Sequence, residues 1–377
     1  MYLKNISITN FRNYSQLSLT FPQGRTIIYG NNAQGKTNLL ESIYFLGLTK
    51  SHRSYVDANL MKSGEAISRI EGTFFLNGMD TTLELAFDQQ RKKLKVDANP
   101  IKRVGEYVSK VNLIIFYPED LELIKGTPNT RRRYLNLELS QLNQQYLSVL
   151  NDFNKLLKMR NDYLKDLDCH FDQNYFTILT QYFIEKSIII YRMRHKFIEK
   201  INQQIGSIFE KISKMKSFQL AYIPSVSFLD YDAISMETIL REEFSSHSNQ
   251  EFRLKTTLVG PQRDDFDFQL NGMSLKEYGS QGQQRMAVLA LKLSEIEIFK
   301  QATGEYPILL LDDVFSELDE FKRNNLLDSL PKEIQTIITT TDLANLNQEI
   351  LMSSKLVEIK QGTIVAMEEV QEDGRKN

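Results

Sequence analysis

The chain has 377 residues, 41% of them hydrophobic and 25% charged, enough to bury one large bilobed core or two ordinary ones. No run approaches the roughly 20 apolar residues that span a bilayer, and the N-terminus lacks the basic, apolar and small-residue stretches of a secretory signal, so the expected location is cytoplasmic and off the membrane. With 46 basic and 48 acidic residues the net charge is −2, which leaves nucleic-acid binding to local patches, while the lone Cys169 and four scattered histidines exclude a disulfide framework and zinc-ligand spacing.

Residues 1–30 alternate apolar and polar at Ile6, Ile8, Leu17, Leu19 and Phe21 and end in the buried-type run Thr26-Ile27-Ile28-Tyr29, which predicts strands. A glycine-bounded loop follows. From Asn38 the apolar positions Leu39, Leu40, Ile43, Tyr44 and Leu46 to Leu48 predict a helix. Residues 68–103 read as antiparallel hairpins with Asn77-Gly78 as a tight turn, and Asn271-Gly272 marks another. Between them, Leu135, Leu139, Leu142, Tyr146, Leu150, Phe153 and Leu157 recur three and four apart, as do Ile198, Ile201, Ile205, Ile208 and Ile212. The polar piece 166–174 separates the two stretches and predicts antiparallel helices whose stripes are core. Strands return at 307–311, 335–340 and in a hairpin at 356–366 before a polar tail.

The first chemical motif is Gly30-Asn31-Asn32-Ala33-Gln34-Gly35-Lys36-Thr37, a complete GxxxxGKT between a strand and a helix. Glycines there let backbone N–H groups turn toward the phosphates of ATP, and the positive end of the following helix adds to the attraction. Lys36 is expected on phosphate oxygens and the Thr37 hydroxyl on Mg²⁺. The second is Ile308-Leu309-Leu310-Leu311-Asp312-Asp313, a buried-type strand ending in two carboxylates. Asp312 is expected to hold Mg²⁺ through a water, and Asp313 to orient or deprotonate the attacking water. The third, Tyr278-Gly279-Ser280-Gln281-Gly282-Gln283-Gln284-Arg285, opens a helical run about two dozen residues earlier.

This third segment resembles the ABC signature, in which the serine and helix N-terminus contact nucleotide held by the other subunit. That likeness implies that Ser280, Gln281, Gly282 and Gln283 act in trans across an ATP-bound homodimer. Ser316-Glu317-Leu318-Asp319 matches the D-loop, which places Ser316 and Asp319 at the same interface. Together with Asn10-Phe11-Arg12-Asn13-Tyr14, Asn38-Leu39-Leu40-Glu41, Tyr117-Pro118-Glu119-Asp120-Leu121, Arg131-Arg132-Arg133 and Gly260-Pro261-Gln262-Arg263-Asp264-Asp265, these motifs resemble the RecF family over nearly the whole chain and in the family's order.

The resemblance implies a relative of SMC ATPase heads that dimerises on DNA with ATP, hydrolyses it slowly under DNA stimulation, and works with RecR and RecO to load RecA at gaps, in recombinational repair and replication-fork maintenance. It adds Arg12 and Asn38 to residues 30–37 as nucleotide contacts. Gln262 departs from it, standing where the family is expected to carry histidine. So does Asp313, where transporter ATPases usually carry glutamate, and the shorter acid suits slow turnover. Thr339-Thr340-Thr341-Asp342 stands where those ATPases place histidine.

The expected fold is an α/β, ABC-type P-loop ATPase head of two lobes. Residues 1–120 with 300–377 form a mixed-sheet lobe and residues 121–299 an inserted, mostly helical one; the second boundary could lie some forty residues earlier. Candidate DNA contacts, for double-stranded or gapped DNA and single-strand/double-strand junctions, are Lys50-His52-Arg53, Arg91-Lys92-Lys93-Lys95, Arg192-Arg194-Lys196 and, first among them, Arg131, Arg132 and Arg133. The rival readings are an ABC motor serving a membrane partner, which the hairpins and helical arm oppose, and a scaffold that binds ATP without turnover, which the paired aspartates oppose.

Overall fold

The computed structural model describes residues 1–54, 56–166, 172–317, 323, 326, 330–343 and 346–368. Its strands in chain order are β1 (Tyr2–Phe11), β2 (Tyr14–Thr20), β3 (Arg25–Tyr29), β4 (Ser68–Leu76), β5 (Met79–Phe87), β6 (Lys92–Val96), β7 (Asn99–Pro100), β8 (Leu113–Phe116), β9 (Phe218–Ile223), β10 (Asp265–Leu270), β11 (Met273–Ser274), β12 (Ile308–Asp312), β13 (Thr336–Thr340), β14 (Ser354–Lys360) and β15 (Thr363–Glu368). The chain divides into two compact units, residues 1–120 with 292–377, and residues 121–291. The second boundary falls inside the helix Gln281–Thr303.

The first unit holds two six-stranded sheets. One, in the order β2-β1-β4-β5-β6-β7, is antiparallel throughout. A register shift between Leu3 and Asn5 lets Leu3, Ile6 and Ile8 all face inward despite their uneven spacing. Asn77 and Gly78, at φ 49° and 83°, form the two-residue turn that closes β4 on β5. The other sheet, β15-β14-β3-β13-β12-β8, has a parallel core from β14 to β8. Every residue of β12 and β13 is buried, as expected of strands covered on both faces. The helix Lys36–Leu48 follows β3 directly, and eleven of its thirteen residues are buried.

The second unit combines the three-stranded sheet β11-β10-β9 with helices Pro128–Leu142, Gln144–Lys165, Gln173–Ser213 and Ala233–Leu254. The first apolar stripe is two helices rather than one. Asn143 leaves the helical region at φ −150° and ψ 109°, and its side chain caps the next helix by accepting from the N–H groups of Gln145 and Tyr146. Gln144–Lys165 then runs antiparallel to Gln173–Ser213, since Tyr163 meets Phe176, Arg160 meets Thr180 and Phe153 meets Phe183. The Asn271-Gly272 hairpin joins β10 to β11 and so belongs to this unit.

Buried ion pairs organise this second core. Arg160 and Glu251 meet at 2.6 Å with 2% and 1% of their side chains exposed. The guanidinium also donates to Thr257 and lies 4.7 and 4.8 Å from the ring centres of Phe176 and Phe244. Breaking such a pair leaves one charge buried without a partner, which costs more than replacing both. Glu251→Leu is therefore expected to destabilise the protein by about 3–5 kcal/mol in chemical denaturation, and the double variant Arg160→Leu/Glu251→Leu to recover most of that loss.

Candidate functional site

The phosphate loop closes around glycines that no other residue can replace. Gly30 sits at φ 145°, where a Cβ would come within 2.4 Å of the Ile359 carbonyl oxygen. Gly35 sits at φ 116°, with the Asn13 amide and the Tyr14 hydroxyl 2.6 and 2.9 Å from where its Cβ would be. No side chain caps the helix that Gly35 begins, so its first N–H groups point into the loop without a side-chain acceptor. Asn31, Asn32 and Ala33 are exposed, and Gln34 is partly so.

The Lys36 ammonium folds back to donate to the carbonyls of Gly30 at 2.6 Å and Asn31 at 2.8 Å, spanning the loop. Burial pulls its pKa below the ordinary lysine value, against the pull of Asp313 and Asp312. The Thr37 hydroxyl donates to the Asp312 carboxylate at 2.9 Å, joining residues 275 positions apart. These two lie on either side of β13, because the strand order is β3-β13-β12. The strand between them supplies Thr339, whose hydroxyl donates to the same Asp312 oxygen at 2.7 Å and accepts from the Asp313 N–H at 3.0 Å. Burial lifts the Asp312 carboxyl above the ordinary aspartate value, and the Thr339 and Thr37 hydrogen bonds and the Arg53 charge draw it back. Asp313 adopts φ 50°, a left-handed conformation uncommon for a non-glycine residue.

Thr37 and Asp312 are a hard hydroxyl-carboxylate pair. Among the described residues no group of three or more His, Cys, Asp or Glu side chains could hold a metal by itself. A hydroxyl and a carboxylate are oxygen donors of the kind that Mg²⁺ takes.

Arg12 and Asn38 also lie beside this loop. Arg12 binds Glu41 through two hydrogen bonds of 2.8 Å, and Asn38 donates to Asn13, whose own amide donates to the Gln34 carbonyl. In the second unit, Ser280 and Gln283 form a capping box at the start of Gln281–Thr303. The Gln283 N–H donates to the Ser280 hydroxyl at 3.3 Å and the Ser280 N–H to the Gln283 side chain at 2.8 Å. Ser280, Gln281 and Gly282 are exposed. Ser316 lies in the short turn Val314–Glu317, while its side chain and the whole of Asp319 fall outside the described residues.

The arginine triplet requires a correction. Arg131 is 5% exposed and grips Asp265 through two hydrogen bonds while donating to the Leu123 and Gly126 carbonyls, so it holds the unit together and offers nothing to DNA. Arg132 donates to the Asp264 carbonyl, and Arg133 is only partly exposed. Arg194 is buried too, paired with Asp264 at 2.7 Å. Arg131 is thus not part of the DNA surface expected of the triplet, while Arg132 and Arg133 keep part of their side chains at the surface. Of the other basic groups, Lys92 pairs with Asp57 and Lys95 with Glu84, while Lys50, Arg91, Lys93, Arg192 and Lys196 are exposed. Gln262 donates to the Val259 carbonyl within a buried turn.

A phosphate loop whose threonine reaches the acid of a strand two places away in a parallel sheet defines an ABC-type P-loop ATPase head. The family model described as AAA ATPase domain matches residues 1–373. The chain is 37% identical to the DNA replication and repair protein RecF of Shouchella clausii, over 98% of this chain and all of that one. It is 38% identical to that of Listeria welshimeri, over 97% and 99%. A solved structure of the recombination mediator protein RecF with ATP superposes with a TM-score of 0.90 at 33% identity, covering 97% of both chains. An SMC head bound to the C-terminal winged-helix domain of ScpA shares the fold at TM-score 0.55 and 14% identity, over 97% of this chain and 96% of that one. The chain belongs to the RecF family of DNA replication and repair proteins.

Thr339 escaped the sequence because threonine in a buried strand reads as an ordinary β-former. Replacing it with valine leaves the Asp313 N–H without its acceptor and takes one donor from Asp312. Thr339→Val is expected to lose about 1–3 kcal/mol in urea denaturation, with Thr339→Ser close to wild type.

Proposed function

We propose that this chain binds ATP at residues 30–38 with Arg12, closes as a homodimer around two nucleotides on DNA, and reopens after slow hydrolysis. The observation that carries the reading is the Thr37-Asp312-Thr339 chain of hydrogen bonds beside a phosphate loop already folded around Lys36. Thr37 and Asp312 would hold Mg²⁺, whose charge neutralises the phosphate oxygens. Lys36 exchanges its two carbonyl partners for phosphate oxygens, a small movement for a side chain already in place. Asp313, its main chain fixed by Thr339, orients the attacking water and accepts its proton as the bond from the γ-phosphorus to the ADP oxygen breaks.

The signature segment supports the dimer. Gly282 lies in the first turn of the helix Gln281–Thr303. A Cβ there would meet nothing within 4 Å, so this chain's own packing gives no reason for the glycine. A partner's nucleotide approaching closely does. The Ser280 hydroxyl accepts from Gln283 and keeps its hydrogen to donate to a phosphate. Ser316 and Asp319 would line the same interface. Lys50, Arg91, Lys93, Arg192 and Lys196 join Arg132 and Arg133 of the triplet as the cations offered to duplex or gapped DNA and its junctions. The RecFOR setting of the solved relatives supports RecR and RecO as partners, and the family resemblance extends this to loading RecA.

Light scattering with ADP, or with ATP and Mg²⁺, each with and without gapped duplex DNA, tests the clamp: the mass should double only with ATP, and a monomer throughout would end the reading. Asp313→Asn should still dimerise with ATP while turnover falls about a hundredfold or more; unchanged turnover would remove Asp313 from the mechanism. Lys36→Ala should lose both properties.

A further inference from the structure

Glu41 lies on the phosphate-loop helix one turn beyond Thr37, and none of its side chain is exposed. A carboxylate so placed is costly unless its charge is met. One oxygen accepts from Arg12 Nη2 at 2.8 Å and from the Ser51 hydroxyl at 2.5 Å, and the other accepts from Arg12 Nε at 2.8 Å. Arg53 stands 3.7 Å from the second oxygen. Burial alone would favour the neutral acid, yet these hydrogen bonds and charges outweigh it and hold the carboxyl below the ordinary glutamate value.

Both arginines are partly exposed, at 22% and 38%, and both adjoin the nucleotide loop. Arg53 donates to the Asn38 side chain at 3.2 Å, and its charge acts on Asp312. Arg12 adopts a left-handed φ of 51° in the turn whose next residue, Asn13, packs on Gly35 and bonds Gln34 and Asn38. One carboxylate, that of Glu41, thus meets both guanidinium groups.

We infer that Glu41 is a positioning residue for ATP binding: its buried carboxylate holds Arg12 and Arg53 as a preset pair of cations beside the phosphate loop. The inference rests on the ATP reading of that loop. With the carboxylate in place, the two side chains are ordered before ligand arrives, so their rotamer entropy is not lost on binding. Without its charge they are free to turn toward solvent.

The test compares the full-length wild type with Glu41→Gln, measuring ATP affinity by calorimetry, steady-state KM and kcat, and the unfolding midpoint without nucleotide. Glu41→Gln should weaken ATP binding and raise KM about tenfold, with kcat much less affected, because the change removes the charge that holds both guanidinium groups in place. In an Arg12→Gln/Arg53→Gln background the same change should have no further effect on ATP affinity. A folded Glu41→Gln that binds ATP like the wild type, even with a lowered unfolding midpoint, would reduce the residue to a structural role and overturn the inference. A further loss in the doubly substituted background would overturn it as well. If Glu41→Gln does not fold, Arg12→Gln and Arg53→Gln decide alone: each should weaken ATP binding about tenfold, and wild-type affinity in both would leave Glu41 nothing to position. Absence of ATP binding by the wild type would overturn the nucleotide reading and this inference together.

Discussion

The catalytic half of this protein depends on how a single carboxylate is held. Asp312 is 4% exposed, in a setting that disfavours its charge, and among the described residues its direct donors are the Thr37 and Thr339 hydroxyls. Two hydroxyl donors offset part of the desolvation and leave the carboxyl above its ordinary pKa. On the proposed reading, a bound divalent cation would offset the rest of that cost. The same constraint explains the buried, all-parallel register of β3, β13 and β12. Only a strand inserted between the phosphate loop and the acid can supply a hydroxyl that touches Asp312 on one side and the Asp313 backbone on the other.

In the second unit, positive charge is spent on architecture. Asp264 accepts from Arg194 and from the Tyr222 hydroxyl, and the neighbouring Asp265 accepts from Arg131, so the pair of acids that ends the Gly260–Asp265 stretch anchors two helices to the sheet β11-β10-β9. Arg194 continues to the Pro261 carbonyl and the Asn136 side chain, closing a network with no donor to spare on one of its nitrogens. Buried networks that are fully met specify one arrangement, and partial ones are costly. This is why three consecutive arginines in a chain of net charge −2 are not three cations of one surface. The first of them has a carboxylate waiting for it 134 residues away.

What the sequence made legible follows from range. GxxxxGKT, the apolar strand ending in two aspartates, and the Asn-Gly turns are local patterns whose geometry is set by a few neighbouring residues, and each stands where its pattern implies. The break at Asn143 was hidden because the apolar spacing runs through it without interruption; only the capping geometry shows that one stripe is two helices. The helix Ala233–Leu254 has Met236, Leu240 and Phe244 as its buried apolar positions over 22 residues, so periodicity was weak there. Arg131, Thr339 and Glu41 were misjudged or overlooked for the opposite reason. Their partners are contributed by segments far away in the chain, and a residue's type alone does not reveal whether it faces solvent, a metal or a buried opposite charge.

The capping box at Ser280 bears on how such a head can use nucleotide as a joint. A helix end that contacts a partner's ligand must present its N–H groups and hydroxyl without being disordered beforehand, or the ordering cost is subtracted from the affinity. Gln283 meets that requirement from within, satisfying the Ser280 N–H and fixing the Ser280 hydroxyl through its own N–H, while leaving the hydroxyl hydrogen free. Gly282, where a Cβ would meet nothing within 4 Å, keeps the approach clear. The segment is thus ordered before any contact is made, which is what the proposed contact with a partner's nucleotide requires.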